Sequence, residues 1–334
     1  MRIDHRKLRV ALAALAALAL ALGIAACGSS DDSSSSEATS AETTGEGAGS
    51  AIVANSDNGK VSLKIGSKNF PEQEILGEIY AQALAAAGYK VKSDLNLGSE
   101  TVAHKAVKSG AISGYPEYAS TALTSFFGLE PEEVPTDATE AWEKANEEFE
   151  KEGLVAFEPT PFESANAVGT LKKTAEKYGL EDVSDLEGVS EKLSLYGSPE
   201  CRERIDCLAG LEKLYGLKFK SFHPVDISLR YTVLEKGQAD LSILFTTDPQ
   251  LSAESDKFVI LKDDKHVFPA GNIIFVTTPK VVEEAGPDYE ATILQVQEGL
   301  TLEVMQELDA RVELEKETPK AAAAAYLESA GYTG

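Results

Sequence analysis

The residues that could carry out chemistry are few and far apart. Only four histidines occur in 334 residues. His5 lies in a basic N-terminus, and His104, His223 and His266 show neither a metal-ligand spacing nor a His-Glu-x-x-His pattern. Each reads as a surface or hydrogen-bonded histidine. Glu72 and Glu74 could form a general acid/base pair. They stand at the start of a helix, however, where two carboxylates suit the positive end of the macrodipole. No phosphate-cradling Gly-x-x-x-x-Gly-Lys-Ser/Thr loop, no Gly-x-Gly-x-x-Gly turn and no Gly-x-Ser-x-Gly elbow is present. Cys201 and Cys207 are close enough for a disulfide, which is the expected state outside the cytoplasm; a metal or redox role is the alternative. The sequence therefore predicts a chain that is not an enzyme, with no catalytic residue, no metal and no cofactor.

The third cysteine carries a different signal. Arg2, Arg6, Lys7 and Arg9 precede an Ala/Leu-rich run from Val10 to Ala26, 17 residues long, against the ~20 that a membrane span needs. It ends in Gly23-Ile24-Ala25-Ala26-Cys27, which resembles a bacterial lipobox. An ordinary signal peptide or an uncleaved anchor are the other readings. The expectation is a signal peptide over residues 1–26, lipidation of Cys27, and an extracytoplasmic protein anchored by lipid to the bacterial cell membrane. Residues 27–60 are rich in Ser, Gly, Thr, Ala and acids, with too little apolar surface to offset ordering entropy, and are expected to be a disordered tether.

Charge excludes further classes. With 31 basic and 55 acidic residues the net charge is −24. Loss of residues 1–26 would remove four basic and one acidic residue, leaving 27 against 54, a net of −27. Such a chain is no nucleic-acid partner, since phosphate contacts need clustered Lys and Arg. It would not hold to anionic lipid by charge alone either.

Alternating elements must position whatever the chain binds. Val61–Gly66 alternates as a strand does. A helix follows to Gly88, with Ile75, Ile79 and Leu84 on its buried face. Lys90–Leu97 reads as a strand, Thr101–Ser109 as a helix, and Ser113–Tyr118 as a strand ending in a Pro-Glu-Tyr turn. This β-α-β-α-β order predicts a parallel sheet wrapped by helices. The pattern restarts with strands at Lys192–Tyr196, Phe219–His223 and Leu241–Phe245, and helices at Leu208–Tyr215 and Ile227–Lys236. A strand at Ile273–Thr277 and helices to the end follow, including Lys320–Ala330. Two α/β lobes are the economical reading.

Several segments together resemble one family. They are Ile65-Gly66-Ser67-Lys68-Asn69-Phe70-Pro71-Glu72-Gln73-Glu74-Ile75-Leu76-Gly77, Asn96-Leu97-Gly98, and Tyr115-Pro116-Glu117-Tyr118-Ala119-Ser120-Thr121-Ala122-Leu123. Pro161-Phe162, Asp226-Ile227, Leu229-Arg230-Tyr231, Thr246-Thr247-Asp248 and Asp263-Asp264-Lys265-His266-Val267-Phe268-Pro269 follow in order. Over about residues 61–332 the chain is similar to the glycine betaine/choline/osmoprotectant substrate-binding proteins of ABC transporters. The resemblance implies a two-lobed periplasmic-binding-protein fold of type 2, with mixed sheets, helices around them and a hinge. Lobe 1 would be residues 61–163 plus 271–334, and lobe 2 residues 164–270 with the hinge crossovers. It also implies ABC permease and ATPase partners and a monomeric receptor.

A quaternary ammonium has no N–H to donate, so aromatic faces must recognise it, while basic and hydroxyl groups hold a carboxylate. By the resemblance, Lys68, Thr121 and Arg204 contact the carboxylate, and Tyr118 and Phe245 occupy cage positions. Asn166 stands where the family often has an aromatic, and Gly271 aligns with another cage Tyr. Either other rings such as Phe162 or Tyr196 replace the missing walls, or the ligand is a different polar amine or amino-acid-like solute. An exported enzyme or a sensor on the same fold is the reading from another class.

Overall fold

The computed structural model describes residues 50–334. The signal peptide expected over 1–26, the lipidation expected at Cys27 and most of the expected tether lie outside the described residues. Within them, the segment thought to be tether up to residue 60 is docked instead. The Ile52 amide donates to the Tyr332 carbonyl and the Asn55 amide to the Ala87 carbonyl. The side chains of Asn55 and Asn58 both donate to Asp288. Polar composition alone did not show that these amides find partners on the folded surface. No helix among the described residues is long and apolar enough to cross a membrane.

The first sheet is built as the alternation predicts. β1 (Ser62–Gly66) leads through a short loop into α1 (Pro71–Ala86); β2 (Lys90–Asp94), α2 (Glu100–Lys108) and β3 (Gly114–Tyr118) follow. β1 lies between β2 and β3 and is parallel to both. Pro71 starts α1 at a position where a missing N–H costs nothing. The helix is buried nearly all round: Ile75, Leu76, Ile79, Tyr80 and Leu84 are fully buried, and the polar Glu72, Gln73 and Glu78 are buried too. The Pro-Glu-Tyr segment expected as a turn belongs to β3 itself. β1 pairs with β3 only at Gly114, so Pro116 falls where that edge of the strand has no ladder partner to lose.

After the one-turn α3 (Ala119–Thr121), a π-helical stretch runs over Ala122–Phe126. α4 (Ala138–Lys151), β4 (Val155–Ala156) and β5 (Glu163–Ser164) follow. The chain then passes into a second sheet through β6 (Asn166–Leu171). α5 (Lys172–Tyr178), β7 (Ser194–Gly197), α6 (Leu208–Leu214), β8 (Ser221–Pro224), α7 (Arg230–Glu235), β9 (Leu241–Phe245), α8 (Gln250–Ala253) and β10 (Phe258–Ile260) complete this region. It returns to the first sheet as β11 (Gly271–Thr277), and α9 (Pro279–Ala285), α10 (Pro287–Gln297), α11 (Leu302–Glu313) and α12 (Pro319–Ser329) finish the chain.

The strand orders are β2-β1-β3-β11-β4, with β5 also on β11, and β10-β6-β9-β7-β8. Each sheet has a parallel trio whose third strand meets an antiparallel neighbour: β3 with β11, and β9 with β6. This is the mixed α/β architecture expected from the sequence. Its consequence is geometric. Open parallel trios carry ligands at the carboxyl ends of their strands, and here the ends of β3 and β9 close on one space.

Candidate functional site

One cavity of about 80 Å³ lies between residues of the two sheets, several times the ~10–15 Å³ that a single water needs. Lys68, Tyr118, Thr121, Asn166, Arg204 and Phe245 all line it, although they span nearly 180 positions of the chain. Lys68, Tyr118 and Thr121 come from the β1–α1 loop, β3 and α3, and Asn166, Arg204 and Phe245 from β6, the loop before α6 and β9. None of the three described histidines is among the lining residues; His104, for example, pairs with Glu152 at 2.8 Å and stacks on Phe126.

Lys68 sits in the loop after β1. That loop is stiffened by the Ser67 hydroxyl, which donates to the Lys68 carbonyl and accepts from the Asn96 amide. The Lys68 side chain is buried and its ammonium pairs with the fully buried Glu117 of β3. It also stands 4.3 Å from the centre of the Tyr118 ring and 5.7 Å from that of Phe70. Burial pushes its pKa below the ordinary lysine value, and the Glu117 carboxylate only partly restores it.

Tyr118 ends β3, with its ring in the cavity wall and its hydroxyl donating to Glu72 of α1. Glu72 is therefore more than a macrodipole residue, as which its place at a helix start marked it. It is buried, and desolvation raises its carboxyl pKa against the help of the Tyr118 hydrogen bond. Asp309 of α11 is raised well above the usual carboxylate range by burial and by Glu72 beside it. Among the described residues, Glu72 Oε2 and Asp309 Oδ1 are buried with no hydrogen-bond partner, which fits carboxyls that hold a proton.

The opposite wall is made of a loop and two strand ends. Arg204 donates from Nε and Nη2 to the carboxylate of Asp206, at 2.7 and 2.5 Å. Its Nη1 reaches to 3.6 Å from Glu100 of α2, across the cavity. Burial opposes its charge, but Asp206 and Glu100 outweigh that and hold its pKa up. The Asn166 amide at the start of β6 donates to the Asp206 carbonyl. Cys201 and Cys207 are bonded to each other and both line the cavity.

Phe245 ends β9. Its backbone amide donates to Asp248, and the Arg230 guanidinium stands 5.0 Å from its ring centre. Arg230 is in turn paired with Asp248 and, from α11 under the other sheet, with Glu313 at 2.9 Å.

The replaced aromatic positions have a physical account. A side chain on Gly271 would place its Cβ 2.2 Å from the Ser120 hydroxyl, so the backbone there is pressed against α3 and no ring can stand. Phe162 and Tyr196, the rings proposed as substitutes, are both elsewhere. Phe162 is buried in the core of the first sheet, and Tyr196 packs at a tilt against His223, 4.9 Å between ring centres. The ring that does join the wall is Phe70, which sequence reasoning placed in the loop and passed over. It lies 6.3 Å from Tyr118, nearly parallel to it, and 5.4 Å from Phe245. Its position two residues after Lys68, at the loop turning into α1, was the available signal. Asp206, Glu117, Glu100 and Arg230 were also missed, each as the charged partner of a better-placed residue.

Three rings, Tyr118, Phe70 and Phe245, and three basic side chains, Lys68, Arg204 and Arg230, line one cavity, a set that can hold an organic cation and an anion together. The comparisons agree with that chemistry. Residues 61–329 match the family described as the substrate binding domain of ABC-type glycine betaine transport system. The chain belongs to that family. It is 34% identical over 277 residues to a glycine-betaine-binding protein of Pseudomonas aeruginosa, covering 80% of this chain and 87% of that one. It is 30% identical to an ergothioneine transport permease/ergothioneine binding protein of Helicobacter pylori, covering 80% of this chain and 48% of that longer one. Among solved structures, a glycine betaine/carnitine/choline ABC transporter crystal structure superposes with a TM-score of 0.62 at 27% identity, over 80% of this chain and 98% of the other. As a member of the family the chain is an extracytoplasmic substrate-binding protein of an ABC transporter, with the periplasmic-binding fold inferred from its sequence.

Proposed function

We propose that the cavity captures glycine betaine or a related quaternary ammonium zwitterion. In this reading Lys68, Thr121 and the Nη1 edge of Arg204 take the carboxylate, and Tyr118, Phe70 and Phe245 face the methylated nitrogen. Asn166 serves as a polar wall that braces the Arg204 loop. The observation that carries the reading is the convergence of three aromatic rings and three basic groups, from segments distant in sequence, on one cavity. The rings can accept a cation, since an ammonium already rests on Tyr118.

The two sheets are the cores of two lobes, residues 61–163 plus 271–334 and residues 164–270, which close on ligand about the two crossings between them. The receptor works as a monomer, delivers its ligand to a permease driven by an ATPase, and is held at the membrane by a lipid on Cys27 after loss of residues 1–26. The acidic surface then needs no basic patch for attachment, and it concentrates cationic solutes nearby.

Calorimetric titration of the purified domain with glycine betaine, carnitine, choline and ergothioneine tests the ligand. One molecule bound per chain with sub-millimolar affinity for at least one of the four supports the reading. No heat with any of them, from a chain shown to be folded, overturns it.

A further inference from the structure

We infer that the Cys201–Cys207 bridge is a positioning element of the cavity: it closes the loop that carries Arg204 and so fixes where the guanidinium points.

The bridge spans six positions and is set into the wall, each cysteine only 2% exposed. Between its ends lie Arg204 and Asp206. The bidentate pairing of these two consumes Nε and Nη2 of Arg204 and leaves the Nη1 edge toward the cavity and Glu100. Asp206 stands next to Cys207 and is the hub of the loop. Its carbonyl accepts from Asn166, and its carboxylate accepts from Thr124 of the first wall at 3.1 Å.

Beyond the clasp and these contacts of Asp206, few main-chain bonds hold the loop. Residues 203–207 belong to no helix or strand, and the backbone bonds there run from the Glu203 amide to Glu200, from the Cys207 amide to Arg204, and from the Leu211 amide of α6 to Cys207. Close approach supplies the remaining restraint. A side chain on Gly210 would meet the Ile205 carbonyl at 1.9 Å, and one on Gly197 would meet the Cys201 sulfur at 3.2 Å. The loop thus lies flat on α6 at one end and against β7 at the other, with the covalent clasp between. Without the clasp the loop regains chain entropy. The guanidinium then leaves the narrow geometry that a charge-assisted contact to a carboxylate requires.

The inference rests on the proposed ligand, and the test separates the two. Glycine betaine affinity is measured for the unaltered chain, for Cys201→Ala with Cys207→Ala, for Arg204→Ala, and for all three changes together. Removal of the bridge is expected to weaken binding about tenfold or more when Arg204 is present and less than about twofold when it is absent. Equal losses in both backgrounds overturn the inference, because a bridge that only supports the fold would cost affinity regardless of Arg204.

Hydrogen exchange reads the loop with no ligand present. Amides of residues 202–207 are expected to exchange at least about tenfold faster without the bridge while β6 and β9 keep their protection; unchanged exchange there also overturns it. If the unaltered chain binds none of the quaternary ammonium compounds, the proposed ligand is wrong and the exchange experiment still decides the role of the bridge. If the alanine pair does not fold, Cys201→Ser with Cys207→Ser carries the same measurements.

Discussion

Lys68, Tyr118 and Glu117 belong to a wall whose polar groups are buried and tied to strands and helices of the first sheet. Arg204, Asn166 and Phe245 belong to a wall hung on a clasped loop and the ends of β6 and β9, and the Arg204 side chain keeps 18% of its surface exposed. The first wall is therefore part of the core that holds the fold together, and its chemistry is fixed before any ligand arrives. The second wall meets the first through a few polar contacts, among them Asp206 with Thr124 and Arg204 with Glu100. If the two lobes close on ligand as proposed, the first side pre-organises the site and the second reports closure.

The same kind of change on the two walls should therefore have opposite consequences. Lys68→Ala leaves Glu117 as an uncompensated buried carboxylate, and breaking a buried pair costs ~3–5 kcal/mol. Urea unfolding is expected to show that loss, and a change below about 1 kcal/mol would put Lys68 outside the core. Arg204→Ala should weaken glycine betaine by about 10- to 100-fold in calorimetry while lowering stability far less than Lys68→Ala does. The reverse order would exchange the roles of the walls.

Tyr118→Phe keeps the ring and removes the donor to Glu72. Stability is expected to fall by about 1–3 kcal/mol with betaine affinity reduced less than about threefold, whereas Tyr118→Ala should reduce affinity by at least tenfold.

The last effect is on pH dependence, and it belongs to the carboxyl pair behind the first wall. Glu72 and Asp309 hold protons in the folded chain above the pH at which they lose them when unfolded. The folded state thus binds more protons, and stability falls as pH rises above the ordinary carboxyl range, by up to ~1.4 kcal/mol per unit for one proton. Urea midpoints between pH 5 and 8 should show that slope, and Asp309→Asn, which supplies a donor in place of the carboxyl proton, should flatten it.

The first wall was largely legible in the sequence because it follows from alternation. Val61–Gly66 reads as a strand, the helix after it is strongly apolar, and ligand groups belong at strand ends, which is where Lys68 and Tyr118 are found. What faces a buried group was not legible. Glu72 looked like a helix-start residue because nothing along the chain shows that Tyr118 and Asp309 lie against it. The second wall was reached chiefly through family resemblance. β6 was missed because Asn166-Ala167-Val168-Gly169 offers small residues and no alternation. Gly169 is needed there, since its Cβ would stand 2.1 Å from the Leu244 side chain. α4 was missed for a related reason: its buried face is Ala141, Ala145 and Phe149 amid many acids, so most of its sequence reads as solvated.

The orientation of ligand between the two walls tests the account most directly. A crystal structure of the chain with glycine betaine should place the carboxylate between Lys68, Thr121 and Arg204, and the trimethylammonium against Tyr118, Phe70 and Phe245. A ligand with its methylated nitrogen turned toward Arg204, or bound outside this cavity, would contradict it.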